Sequence, residues 1–346
     1  MVFRTSIIRV KSFLLIAASC GSLFAQTTIS PPRVGVLDYY GLRKLTPERI
    51  QRVLATKEGD RFPQSKGDVE ERLEKIPGVV RSHLEAVCCE EGKAILFVGI
   101  EEKGAPHFEF RTAPSGESRL TGDIVETHRK FLAAVESAAH AGNVAEDLRS
   151  GHSLMADPAS RALQEQFAVI AERELPLLKD VLRNSSNDEH RAIAAEIIGY
   201  AAKKREVVDD LQQAIQDPDD SVRNNAMRAF GAIAVLAIRR PELEIQISPT
   251  WFVEMLNSVV WSDRNKAVRA LLNLTDTRPE RILALIRERA LPALAEMARW
   301  KSLPHALGPY MLLGRVAGLT DKQIEDSWTS GERNVVIAKV LKSSRK

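Results

Sequence analysis

Asp217-Pro-Asp-Asp-Ser-Val-Arg-Asn-Asn-Ala-Met-Arg-Ala-Phe-Gly231 holds the densest structural information in the chain. An aspartate ahead of a run of helix formers caps a helix and suits its positive end, so Asp217 or Asp219 starts one here. Arg223 follows one turn in, within reach of that aspartate or of a neighbouring unit. Ala226 admits a close helix neighbour, and Gly231 is expected to close the helix. The same order occurs earlier, in Asn187–Gly199, with Arg191 on Arg223, Ala194 on Ala226 and Gly199 on Gly231. It returns later, in Asp263–Leu272, with Ala267 on Ala226 and Arg269 on Arg228. A fourth, degenerate copy ends at Leu312-Leu313-Gly314. Another helix precedes each copy: Leu175 to Leu182, Val207 to Ile215, Trp251 to Val260, and Leu291 to Ala298. Each helix pair leaves an apolar face that only the next pair covers, so the units stack into a solenoid.

The phrase around Asp219, Val222, Arg223 and Ala226 is similar to the mark of HEAT-type repeats, and the resemblance covers about half of the chain. It implies an all-α solenoid over 123–346, clearest in 174–314. Asp219, Arg223, Ala226, Gly231, Arg191 and Gly199 are its structural marks.

Ahead of the repeats the pattern changes. Val34 to Tyr40 is a β-prone run followed by the turn residue Gly41. Thr46 and Pro47 start a helix that shows Ile50, Val53 and Leu54 on one face. A second helix, from about Ser65 to Lys75, shows Val69, Leu73 and Ile76, and Pro77-Gly78 stops it. Val79 to Cys89 alternates, with Val80, Leu84, Ala86 and Cys88 on one side. Ala94 to Ile100 is a further strand. This βααββ order, Gly41, the loop Lys57–Pro63 and the run Val69-x-x-Arg72-Leu73-x-x-Ile76-Pro77-Gly78-Val79 resemble a POTRA domain over residues 26–103. The resemblance implies a binding module without catalytic residues that adds a partner strand to an open sheet edge. Its second strand is the expected edge, with Arg81, His83 and Glu85 facing away from the core as partner-binding candidates. The chain departs from the family in carrying one such unit and no train of membrane strands after it. Residues 104–122 read as a linker or irregular packing segment in which His107–Arg111 is a candidate extra strand. From Gly122, the residues Ile124, His128, Phe131, Leu132, Val135 and Ala139 share a helix face. The fold class is therefore an α+β N-terminal domain followed by an all-α helical solenoid.

The chain has 346 residues, 44% hydrophobic and 27% charged, which excludes a disordered tail or a disulfide-dense miniprotein and gives a prior of two domains. Residues 1–25 place Arg4, Arg9 and Lys11 before the apolar run Phe13–Ala18, with small residues leading to a cut after Ala25. That is the layout of a secretory signal peptide. A lipobox-like Ala-Ala-Ser-Cys ending at Cys20 is the alternative, although the usual leucine three residues before the cysteine is missing. The formal charge is +3, and the signal carries three cations and no acid, so the remainder sums to zero. Neutrality gives no global case for nucleic acid. The expected place is exported, periplasmic or extracellular, with membrane contact only if Cys20 is lipidated or the signal is retained. Cys88 and Cys89 are adjacent, a poor geometry for a structural disulfide, and Cys88 reads as a buried small hydrophobe.

The motifs of phosphate loops, hydrolase elbows, zinc peptidases and dinucleotide sites are all missing, so no cofactor, metal or catalytic residue is assigned. The histidines are scattered. Trp251, Trp261, Trp300 and Trp328 fall within the repeats as core residues or as the lining of a peptide groove. These observations point to a non-enzymatic exported scaffold or adaptor that binds proteins in the cell envelope, through the solenoid and the sheet edge. Two alternatives stand beside it: an enzyme-associated HEAT-like subunit or lyase acting on a protein-bound group, and a nucleic-acid-binding solenoid.

Overall fold

In the computed structural model, residues 33–90 and 93–343 are described, with side chains from Arg33 to Val87 and from Ala94 to Lys342. The expected signal peptide, Cys20, the Cys88 and Cys89 side chains and residues 344–346 lie outside that set. Strands β1 (Val34–Tyr40), β2 (Val79–Glu90) and β3 (Lys93–Glu102) form a sheet in the order β1-β3-β2, with β1 parallel and β2 antiparallel to β3. Helices α1 (Pro47–Leu54) and α2 (Lys66–Glu74) cover one face. Their Ile50, Leu54, Val69 and Leu73 meet Leu84, Leu96, Val98 and Ile100 in a small core. A bulge after Val79 shifts the alternation in β2, so Val80 is 55% exposed, and Ala86 is exposed as well. Both were expected inward.

The other face of the sheet is where the repeats begin to matter. Tyr40, Ile95 and Phe97 belong to the same apolar core as the helices, and Pro32–Lys346 form one compact unit. Phe97 packs between Trp261 and Trp300, with ring centroids 5.0 and 4.9 Å away. The Tyr40 hydroxyl donates to the Val259 carbonyl at 2.7 Å. Gly99 lets the sheet and the helical repeats come this close: a Cβ there would lie 2.3 Å from the Val259 oxygen and 2.6 Å from the Tyr40 ring. Asp38, on β1, accepts the Lys301 amide at 2.9 Å and the Ser302 amide at 3.5 Å. It thereby satisfies backbone donors at the start of the helix Leu303–Val316 that no cap within the helix takes.

Beyond the sheet the chain is mainly helical, with the two-residue strands β4 (Glu146–Asp147) and β5 (Leu154–Met155) as an inserted hairpin. Helices α3 (Gly122–His140) and α4 (Pro158–Arg173) pack together ahead of the stack. An outer layer follows of α5 (Leu175–Asn184), α7 (Val208–Ala214), α9 (Thr250–Met255) and α11 (Glu280–Arg289). An inner layer is built by α6 (Asp188–Ile198), α8 (Asp220–Arg239), α10 (Trp261–Leu274) and α13 (Leu303–Val316). Neighbours within the inner layer touch along their lengths, and each packs on its outer partner. The fourth outer position holds two helices in series, since α12 (Leu291–Met297) follows α11 after Ala290. Helices α14 (Asp321–Thr329) and α15 (Arg333–Ser343) end the array.

Three expectations change. Gly231 lies in the interior of α8, which runs on to Arg239, because Ala232, Ile233 and Ala234 keep burying an apolar face past it. His107–Arg111 is not a strand; its edge groups go to helix ends instead, with Arg111 N–H donating to Gln216 O at 2.7 Å. On α3 the buried face is Ile124, His128, Phe131 and Ala138, while Leu132 and Ala139 are exposed.

Candidate functional site

The inner layer owes its order to a series of buried ion pairs between successive repeats. Arg191 of α6 donates to both Asp217 oxygens at 3.0 and 2.8 Å. Arg223 of α8 donates to both Asp263 oxygens at 3.0 and 3.1 Å. Arg264 of α10 reaches Glu296 at 3.4 Å. Arg191, Arg223 and Arg264 occupy equivalent positions in the successive copies of the sequence repeat. Each guanidinium also donates to carbonyls just before its own helix: Ser185, then Asp217 and Pro218, then Ser258. One residue thus fastens the start of a helix and its junction with the next repeat. Asp219 is the N-cap of α8, accepting from Val222 N–H at 3.0 Å. Ala226 is fully buried, and Gly199 ends α6 where a Cβ would stand 2.8 Å from the Ala229 methyl.

Residues 104–121 pin this array from the side. Arg111 donates to Asp217 at 2.6 Å, and Phe110 lies under the Arg223 guanidinium, 4.3 Å from its ring centroid. Burial alone raises the Asp217 carboxyl, but Arg191 and then Arg111 hold it below the usual carboxylate range. Burial pushes the Asp263 carboxyl up, against the pull of Arg223 and Ser258.

The exposed side of α6, α8 and α10 carries a row of depressions. The first, about 470 Å³, lies over the start of α6 and α8 and is lined by Asp188, Glu189, Glu196 and Asp219, with His128 on its wall. His128 Nε2 and Glu196 Oε2 are 2.9 Å apart. A small pocket shared by Glu196, Asn225 and Arg228 continues the row. The next, about 200 Å³, is lined by Arg228, Lys266, Arg269, Asn273 and Glu146. The β4–β5 hairpin reaches over this surface, and Glu146 accepts from Arg228 at 2.6 Å. Negative charge thus gathers at one end of the row and positive charge at the other.

Two lysines near the row are held in poor surroundings for charge. Burial lowers Lys204 to about 8, and its amine donates to the Gly199 carbonyl at 2.6 Å. Burial, then Arg228 and Arg269, lowers Lys266 to about 8. Between pH 8 and the ordinary lysine value of 10.5, these two side chains therefore bind more protons in the unfolded chain than in the folded one. The lysine contribution to stability rises with pH across that window, and from about pH 9.5 upward it is opposed by Tyr39, Tyr40 and Tyr200, whose hydroxyls are raised by burial and keep their protons in the folded chain. Urea midpoints are expected to climb from about pH 8 to about pH 9.5, and Lys204→Met to remove roughly half of the climb. A flat or falling midpoint in the wild type contradicts this.

The residues expected to bind a partner at the sheet sit in a different setting. On β2, Arg81 is exposed, with its guanidinium 5.3 Å from the Phe110 ring centroid. His83 is half-buried between Glu70 and Glu85, each at 3.6 Å. Glu85 is half-buried and accepts from Ser262 N–H at 3.3 Å, so that face of β2 turns toward the repeats. Part of the open edge is occupied. Ser82 N–H donates to Glu74 at 2.9 Å and Leu84 N–H to Glu70 at 2.7 Å. On the opposite edge Leu37 N–H donates to Glu58 at 3.2 Å. At these three positions carboxylates of the chain's own helices and loops take donors that an added strand would use.

Comparison with known proteins bears on the helical part of the chain. A family model described as HEAT repeats matches residues 175–271. Among solved structures the chain is similar to a designed armadillo repeat protein in complex with the peptide (KR)4. The identity is 15% and the TM-score 0.36, over 54% of this chain and 90% of that one. A second designed armadillo repeat protein is similar at 15% identity and a TM-score of 0.35, over 54% and 91%. No curated protein matches the chain. The matched segment and the repeated Arg–Asp pairs together show that the chain carries a HEAT-like helical repeat array behind a small N-terminal sheet.

Proposed function

We propose that this protein is a non-enzymatic scaffold or adaptor that binds protein partners on the exposed side of α6, α8 and α10. The observation that carries the reading is the stack itself: buried ion pairs fix three inner helices into one surface, and that surface bears a continuous, charge-sorted row of depressions. An extended, preordered face suits contact with a chain segment, since little of the binder needs ordering on association. The sheet edge is the poorer candidate surface, because Glu70 and Glu74 already take the Leu84 and Ser82 N–H groups on it.

The place of action is the cell envelope, after export. What supports this is the charged, apolar and small order of residues 1–25. The βααββ order with β3 central supports a POTRA-like origin for the sheet unit. Fractionation of the native cells followed by cross-linked pulldown of the tagged full-length chain tests the reading. The expected result is the protein in the envelope or external fraction, with envelope proteins linked to it. A cytosolic protein with no linked protein partner overturns it.

A further inference from the structure

The pocket formed by Arg228, Lys266 and Arg269 has an electrostatic imbalance that the fold does not use. Three cations line it, and Glu146 is its acidic lining residue. Glu146 is bonded to Arg228. Among the described residues, the side chains of Lys266 and Arg269 have no hydrogen-bond or ion-pair partner within contact distance. Glu146 offsets one of the three charges at close range and Asp263 acts on Lys266 from farther off, so the cluster keeps a positive surplus at its surface that a bound oxyanion relieves. The contact with Glu146 shows that a carboxylate fits at one side.

The neighbouring depression narrows the class of ligand. Asp188, Glu189, Glu196 and Asp219 line it. A continuous polyanion such as a nucleic acid strand, lying along the row, would meet these four carboxylates close to its contact with Lys266. A polypeptide that carries an isolated acidic side chain meets no such repulsion.

We infer that Lys266 and Arg269, with Arg228, form a subsite for an aspartate or glutamate side chain of the partner protein, and that Glu146 competes for it from within. This inference rests on the scaffold reading and names what the inner face selects. Glu146 sits on the short β4–β5 hairpin, so an incoming carboxylate takes over Arg228 as Glu146 leaves.

The test uses the full chain and a fluorescein-labelled, end-blocked peptide (Gly-Glu)4, with (Gly-Gln)4, (Gly-Lys)4 and a short oligothymidylate as comparisons, read by anisotropy at low salt. The acidic peptide is expected to bind more tightly than the three others. The double substitution Lys266→Gln with Arg269→Gln weakens it at least tenfold, and Glu146→Gln tightens it. The opposite signs separate a binding role from a structural one. Arg269→Gln alone, at an exposed position, serves where the double variant unfolds. Equal binding of the acidic and glutamine peptides, no loss in the variants, weaker binding in Glu146→Gln, or tighter binding of the oligothymidylate each overturn the inference. Pulldown with the double variant separates the two levels. Partners captured at unchanged yield remove the subsite and leave the scaffold reading; no partner with either protein removes the scaffold reading, while the peptide result stands by itself.

Discussion

Replacing Arg223 with methionine is expected to lower the unfolding free energy by about 3–5 kcal/mol. The change strips Asp263 of both guanidinium bonds and leaves it a buried charge with Ser258 as its remaining donor, at 2.8 Å. It also frees the carbonyls of Asp217 and Pro218 ahead of α8. Methionine keeps most of the apolar stem, so the loss measures the head group rather than a large cavity. Urea unfolding of the single and double variants checks the cause. With Asp263→Leu added, the loss becomes smaller than for Arg223→Met alone, because the unpaired carboxylate is gone. A loss under about 1 kcal/mol in the single variant would mean that the repeats stack without these pairs.

The second large effect is expected at the contact between sheet and helices. Gly99→Val would put a side chain where the Val259 oxygen lies 2.3 Å away and the Tyr40 ring 2.6 Å away. Neither neighbour is a flexible chain end. One is backbone and the other is a buried ring held by its own hydrogen bond. β3 has to retreat from the repeats, which costs about 1–3 kcal/mol for overpacking and about 1 kcal/mol more for the lost Tyr40 bond. The retreat opens the Phe97 packing, so the fluorescence of Trp261 and Trp300 shifts red along with the lower urea midpoint. An unchanged midpoint and spectrum would show that the sheet is not seated on the helices in this way.

Much of the fold is written in local signals. The helix start at Ser65, the cap at Asp219, the stop at Pro77-Gly78 and the unbroken β-prone run Ala94–Ile100 locate the strands and helices closely, since each depends on neighbours in sequence. The repeat interval alone gives Arg191 and Arg223 equivalent roles. What pairs with them is not legible. Asp263 precedes Arg264 in the next repeat, and Arg111 reaches Asp217 from a segment with no periodicity at all. Gly231 reads as a helix end by residue type, yet burial of the residues after it carries α8 onward. Trp261 and Trp300 read as core, which they are, but the core they build is shared with the sheet. The edge of β2 reads as open because nothing in its own residues shows that α2 bends two glutamates back onto it.

The charge-sorted row is hidden for the same reason. Asp188, Asp219, Arg228 and Lys266 are spread over three repeats, and only the stacking of α6, α8 and α10 brings them onto one surface. Formal neutrality of the chain beyond Ala25 conceals a strong local separation of charge.

Photo-cross-linking locates the working surface most directly. A benzophenone amino acid is placed at Asn224, on the wall of the acidic depression, and in a parallel protein at Asp209, exposed on the outer helix α7. Both are expressed in the native cells and irradiated. The prediction is a discrete protein adduct from position 224 and none from position 209. Adducts of equal yield from both positions, or from the outer position alone, would contradict the assignment of the inner helical face as the binding surface.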